Sequence, residues 1–136
     1  MSSLIPLKEI SRYVKKNYGL TKTEMELMDI FWESGRSYGF KELLEYAHET
    51  LGKEWKKQTL STYLTKLQRM GLLDVDASSK NYIYFALYSK EEYIHQWTEK
   101  LVKTTFDNSI SKFVFAFTGG KKLSKEEAEE LRKLID

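Results

Sequence analysis

Apolar residues recur at intervals of three and four over three successive stretches, each closed by a glycine. The first predicts a helix from about Lys22 to Ser34, with Met25, Met28, Phe31 and Trp32 as its stripe. Lys22, Glu26, Asp29 and Glu33 lie on its wet side, and Gly35 follows. The second predicts a helix over about residues 40–51, with Phe40, Leu43, Leu44, Ala47 and Leu51 inward and Gly52 as its stop. The third runs from about Lys57 to Met70 on Leu60, Leu64, Leu67 and the flank of Tyr63, and Gly71 ends it. The period then shortens. Leu72-Leu73-Asp74-Val75-Asp76 and Tyr82-Ile83-Tyr84-Phe85-Ala86-Leu87-Tyr88 are β-branched and aromatic, and the polar Ala77-Ser78-Ser79-Lys80-Asn81 between them predicts a hairpin.

Helix, helix, helix, hairpin is the order of a winged helix-turn-helix, whose hairpin closes a core that three short helices struggle to complete. Beyond Ser89 the pattern is helical again, over about Lys90 to Thr105, Asp107 to Phe117 and Lys125 to Ile135. Three capping-box sequences mark helix starts: Thr21 with Glu24, Ser89 with Glu92, and Ser124 with Glu127. In the last region Phe106, Ile110, Phe113 and Phe117 recur at spacings of four, three and four, the seam of helix-on-helix packing. Helices this short carry more apolar surface than one chain can hide. A second copy is the expected cover, with Tyr93, Trp97, Leu101, Phe106, Ile110, Phe113, Phe117 and Leu131 as the dimerisation residues.

The expected fold class is therefore mainly α with a small β-hairpin. Residues 1–19 form an N-terminal extension, 20–88 a winged-helix DNA-binding domain, and 89–136 a helical dimerisation domain. In the extension, Leu7, Ile10, Tyr13 and Val14 fit one or two amphipathic turns, read as an extra docked helix in preference to a basic arm or a frayed end.

Composition narrows the choice of function. Of 136 residues 41% are hydrophobic and 31% charged, the balance of a folded soluble protein. The absence of cysteine excludes disulfides, thiolate metal sites and thiol redox sensing. No apolar run reaches the roughly 20 residues that span a bilayer. The start, Met1-Ser2-Ser3-Leu4-Ile5-Pro6-Leu7-Lys8-Glu9, lacks the pattern of a signal peptide, so the cytoplasm is the expected location. Net charge is only +2, from 22 basic and 20 acidic residues, so any polyanion must be met by local clustering.

Such a cluster lies on the third helix. With Leu60 at the centre of the buried side, a rotation of about 100° per residue turns Gln58, Thr62, Thr65 and Arg69 away from the core. Thr59, Ser61 and Lys66 flank them, and Lys57 stands at the entry. This face holds no acid. Lysine and arginine neutralise phosphates or donate to guanine, glutamine pairs with adenine, and hydroxyls anchor phosphates. The first turns of such a helix enter the major groove, which makes Lys57, Gln58, Ser61 and Thr62 base readers. Lys66 and Arg69 are expected on the backbone, and Lys80 and Asn81, with Ser79, at a neighbouring phosphate. By itself a face with three bases and several hydroxyls is an ordinary solvated surface; its place directly before the hairpin selects DNA.

Catalysis finds no comparable pattern. His48 and His95 are the only histidines, and neither sits in an H-E-x-x-H zinc sequence. Gly119-Gly120 lacks the rest of a phosphate loop and marks a helix break, and Glu126, Glu127, Glu129 and Glu130 form a solvated helix face. Neither an enzyme nor a cofactor is expected.

The stretch Leu20-Thr21-Lys22-Thr23-Glu24-Met25-Glu26-Leu27-Met28-Asp29-Ile30-Phe31-Trp32 resembles the opening of the penicillinase-repressor (BlaI/MecI/CopY) family. Thr59-Leu60-Ser61-Thr62-Tyr63-Leu64-Thr65-Lys66-Leu67 with Gly71 is similar to that family's recognition helix. Tyr82 and Tyr84, then Ser89-Lys90-Glu91-Glu92-Tyr93, are similar to its wing and linker. The likeness runs from Leu20 to the end, and the first 20 residues exceed the usual start. It implies a homodimeric repressor of palindromic operators, acting on β-lactam resistance or metal homeostasis genes. The copper-responsive branch carries C-terminal cysteines, which this chain lacks. In the β-lactam branch a membrane sensor pathway leads to cleavage before a phenylalanine in the dimerisation region. Phe113-Val114-Phe115-Ala116-Phe117 resembles that stretch and makes Ala116–Phe117 the analogous bond, although family members carry Asn where Ala116 stands. Lys66 stands where many members have Arg, and Ser61 where several have a larger polar residue. Two alternatives remain at this point. One is a winged helix that binds protein instead of DNA. The other is a one-component regulator with a small-molecule pocket lined by Tyr93, Trp97 and Phe106.

Overall fold

The computed structural model describes residues 17–135, so the expected helix around Leu7 to Val14 lies outside the described residues. Two units compose this stretch, residues 17–97 and 98–135.

The first unit is built on α1 (Lys22–Ser34), β1 (Tyr38–Gly39), α2 (Phe40–Glu49), α3 (Lys57–Arg69), β2 (Leu73–Asp76) and β3 (Ile83–Ala86). The Thr21 cap forms as its sequence requires. The Glu24 N–H donates to the Thr21 hydroxyl at 3.1 Å, and the Thr21 N–H donates to Glu24 Oε1 at 2.8 Å. At the other end Gly35 adopts φ 68°, and its N–H closes on the Phe31 carbonyl at 2.8 Å. α1 buries Leu27, Met28, Ile30 and Phe31, while Met25 and Trp32 pack at the edge of the core. Leu43 and Ala47 from α2 and Leu60, Leu64 and Leu67 from α3 complete the helical side.

The expected hairpin is part of a larger sheet. Its three antiparallel strands lie in the order β1-β3-β2, with Leu73 opposite Ala86, Val75 opposite Tyr84, and Tyr38 opposite Tyr84 on the other edge. β1 is two residues long, too short to leave a period-2 signal in sequence. Tyr38 is buried and packs edge-on against Phe31 at 5.4 Å, which fixes this strand to the core. The Leu87 N–H reaches the Leu72 carbonyl at 3.0 Å, tying the base of the hairpin together.

α4 (Lys90–Thr105) begins with the expected capping box, both Ser89–Glu92 bonds being present at 2.9 and 3.1 Å. Its first turns belong to the winged unit. Tyr93 stacks on Trp32 at 5.8 Å and its hydroxyl donates to the Tyr18 carbonyl at 2.6 Å, while Trp97 meets the Tyr18 ring edge-on at 5.5 Å. Gly19 has φ 86°, and a Cβ there would come within 3.2 Å of the Trp97 ring, so a larger residue would be strained. The unit thus ends at Trp97, where the sequence pattern placed its end at Tyr88.

In the second unit the rest of α4 is followed by α5 (Ile110–Thr118) and α6 (Lys125–Ile135). α5 starts later than its apolar pattern indicates because Asp107 and Asn108 take φ of 52° and 58°, a left-handed turn that no helix can continue. Ser109 then caps α5 through the Lys112 N–H at 3.1 Å. Phe106 is buried and packs edge-on against Phe113 at 5.4 Å. The third expected cap forms by half: the Glu127 N–H donates to the Ser124 hydroxyl at 3.1 Å. Among the described residues no helix is long and apolar enough to cross a membrane.

Candidate nucleic-acid interface

α3 is held on three sides. Its apolar stripe lies on the core, Trp55 from the preceding loop stacks on Tyr63 at 5.0 Å, and Gly71 at φ 79° turns the chain into β2. What remains outward is the strip of Gln58, Ser61, Thr62, Thr65, Lys66 and Arg69, which lines a single shallow groove. Thr59 is half-buried beside it. The Thr62 hydroxyl donates to the Gln58 carbonyl at 2.9 Å, which leaves its lone pairs for an incoming donor.

The sequence also pointed to Lys57, Lys80 and Asn81, and these lie on a second, larger concavity. It encloses about 990 Å³ between the start of α2, the start of α3 and β3, with Phe40, Leu44 and Tyr82 as apolar lining. Lys80 and Asn81 are exposed in the turn between β2 and β3. This groove contains one cation that the sequence pattern did not single out, Lys41. Its neighbour Glu42 is occupied, accepting from the Arg36 guanidinium at 2.9 Å and from the Gly39 N–H at 3.1 Å. Those bonds, the Arg36 one first, hold the Glu42 carboxyl below the usual glutamate range. The available signal for Lys41 was weak: a cation in the first turn of a helix opposes the backbone dipole, and Lys57 shares that placement.

Along α3 itself no acid interrupts the strip, but the fold brings one in from α1. Glu24 forms an ion pair with Lys66. Lys57, Arg69 and Lys80 form no ion pair among the described residues. The strip therefore offers hydroxyls and one cation unpaired among the described residues, Arg69, with Lys57 and Lys80 unpaired on the second concavity; such donors suit phosphate oxygens and base edges.

The residues expected to pair two copies fall into different surroundings. Tyr93 and Trp97 are half-buried in the winged unit, and Leu101 and Phe106 are buried within the chain. Ile110, Phe117 and Leu131 are exposed, Phe117 to 76%, and Leu134 and Ile135 beside them reach 83% and 81%. Phe113, Val114, Phe117, Leu123, Leu131 and Leu134 line an open apolar groove between α5 and α6. Ala116 is half-buried one residue before Phe117, in the last turn of α5, which stops at Gly119 with φ 66°.

The methicillin resistance regulatory protein MecI of Staphylococcus aureus (strain N315) is 23% identical over 121 residues, covering 89% of this chain and 96% of its own. The penicillinase repressor of Bacillus licheniformis is 22% identical over 123 residues, covering 90% and 94%. A cysteine-to-serine mutant of MarR from E. coli superposes with a TM-score of 0.46 at 14% identity, covering 97% of this chain and 95% of that one. The model of the penicillinase repressor family matches residues 20–136, from the residue before the Thr21 cap to the last residue, and the chain belongs to that family.

Proposed function

We propose that this chain represses transcription as a homodimer on palindromic operator DNA. Membership of the penicillinase repressor family and relatives named as regulators of methicillin resistance and of penicillinase support a repressor. α3 enters the major groove, Gln58, Ser61 and Thr62 read base edges, and Thr59 and Thr65 flank them. Arg69 and Lys57 each hold a phosphate, and Lys80 and Asn81 hold the backbone beside the wing. Lys57 was expected among the base readers but lies on the second concavity and not on the strip. The observation that carries this reading is the exposed strip of α3, which has no acid of its own along the helix and leaves Arg69 unpaired among the described residues.

The dimer rests on the apolar groove of α5 and α6. Residues as exposed as Phe117, Leu134 and Ile135 gain about 1.5–3 kcal/mol each on full burial, and a two-fold axis would bury each of them twice. Repression is relieved in the same unit, at Ala116–Phe117. A bond in the last turn of a helix, with glycines beyond it, needs few backbone hydrogen bonds to open before a protease can hold it extended. Incubation with the activated membrane sensor pathway should yield a fragment beginning at Phe117; an intact chain refutes this route.

A mobility shift on DNA from the region upstream of the chain's own gene tests the central reading. Binding should survive excess random DNA, and Gln58→Ala or Thr62→Ala should narrow the gap between operator and random DNA. Unchanged discrimination in both variants would refute the assignment of α3.

A further inference from the structure

Lys66 differs from the other cations of α3 in what it faces. Glu24, in the first turn of α1, is 2% exposed. One carboxylate oxygen accepts the Thr21 N–H at 2.8 Å, and the other pairs with the Lys66 ammonium. Burial pushes this carboxyl up. The close Lys66 ammonium and the two Thr21 bonds outweigh burial and leave it below the usual glutamate range. A phosphate that drew Lys66 away would strand a buried carboxylate, which is strongly disfavoured.

The pair also joins two helices. Among the described residues it is the one ion pair between α1 and α3; the other contacts there come from the apolar core. The leucine stripe decides which side of α3 is buried, and because apolar packing is non-directional the fine rotation is left to contacts at the edge of the core. An ion pair ties one point of α3, the Lys66 ammonium, to one point of α1, the buried Glu24 carboxylate. α3 carries the strip, so its rotation decides which side chains reach base edges.

We infer that Glu24 is a positioning residue for DNA reading: its buried carboxylate holds Lys66 and thereby sets the rotation of α3, and Lys66 is half of this strut instead of a phosphate contact. The inference rests on the DNA reading proposed above. It withdraws Lys66 from the expected backbone contacts.

Two measurements on the full chain test it. In the first, melting temperatures are compared for wild type, Glu24→Gln, Lys66→Met and the double variant. A strut predicts that the double variant melts at least about 4 °C above the value that the two single losses add up to. Additive losses overturn the proposal. In the second, operator binding is titrated at several salt concentrations, well below the lowest melting temperature. Lys66→Met should lose roughly five- to hundredfold in operator affinity, the size of one misaligned base contact, with its salt slope unchanged. Glu24→Gln should also bind operator more weakly, although it removes an acid from the vicinity of DNA. A salt slope shallower by about 1.8 in Lys66→Met (two phosphate contacts per dimer), or an undiminished affinity in Glu24→Gln, overturns it. Failure of the wild type to bind any DNA would refute the DNA reading itself, and the melting cycle then decides alone whether the strut exists.

Discussion

Replacing Arg69 by alanine removes an exposed guanidinium from the end of α3 without touching the core. Its consequence for DNA binding can be worked from the charges. Lys57, Arg69 and Lys80 are exposed and unpaired among the described residues, and in the proposed dimer they would make six phosphate contacts. At about 0.9 counterions released per contact, log K should fall against log salt with a slope of about −5. Raising salt from 50 to 200 mM then weakens wild-type binding by about three orders of magnitude. Arg69→Ala removes two contacts per dimer and makes the slope shallower by about 1.8. Over the same fourfold salt range the variant loses about 12-fold less affinity than wild type. Fluorescence anisotropy of a labelled operator duplex across a salt series measures both slopes. The exposed site should leave stability within about 0.5 kcal/mol, plus a few tenths for the charge at the helix C-terminus, so melting controls for the fold. A variant slope equal to that of wild type refutes the assignment of Arg69 to phosphate.

Three further outcomes follow from the packing. Leu134→Lys places a charge in the apolar groove of α5 and α6, and at one concentration sedimentation should show wild type as the proposed dimer and the variant as monomer, with operator affinity falling in step. Leu64→Ala, at a side chain 1% exposed on the buried side of α3, should cost about 2–4 kcal/mol and lower the calorimetric melting temperature by roughly 10–20 °C. The carboxyl of Glu24 lies below its ordinary value in the folded chain, so its stabilisation is complete above about pH 4.3 and is lost as pH falls through the folded value. Melting temperature against pH should therefore fall less steeply in Glu24→Gln below about pH 4.3 than in wild type, the remaining slope coming from Glu42, Asp76, Glu92 and Asp107.

Features that depend on local chemistry were legible in the order of residues. The starts of α1 and α4 were written in Thr21-Glu24 and Ser89-Glu92, because a capping box needs only residues three apart. The stripe of Leu60, Leu64 and Leu67 set which side of α3 is buried, and hence which side is left for Gln58, Thr62, Thr65 and Arg69. Long-range partners were decided by the tertiary structure alone. Two residues of β1 carry no periodicity and become a strand only because β3 offers an open edge. Tyr93 and Trp97 fit the helical pattern of the C-terminal region equally well, and only Tyr18, Gly19 and Trp32 draw them into the winged unit. In the same way Glu24 reads as a capping residue from its spacing. Its second oxygen meets Lys66, 42 positions along the chain, because the packing of α1 against α3 leaves that buried charge no water to turn to.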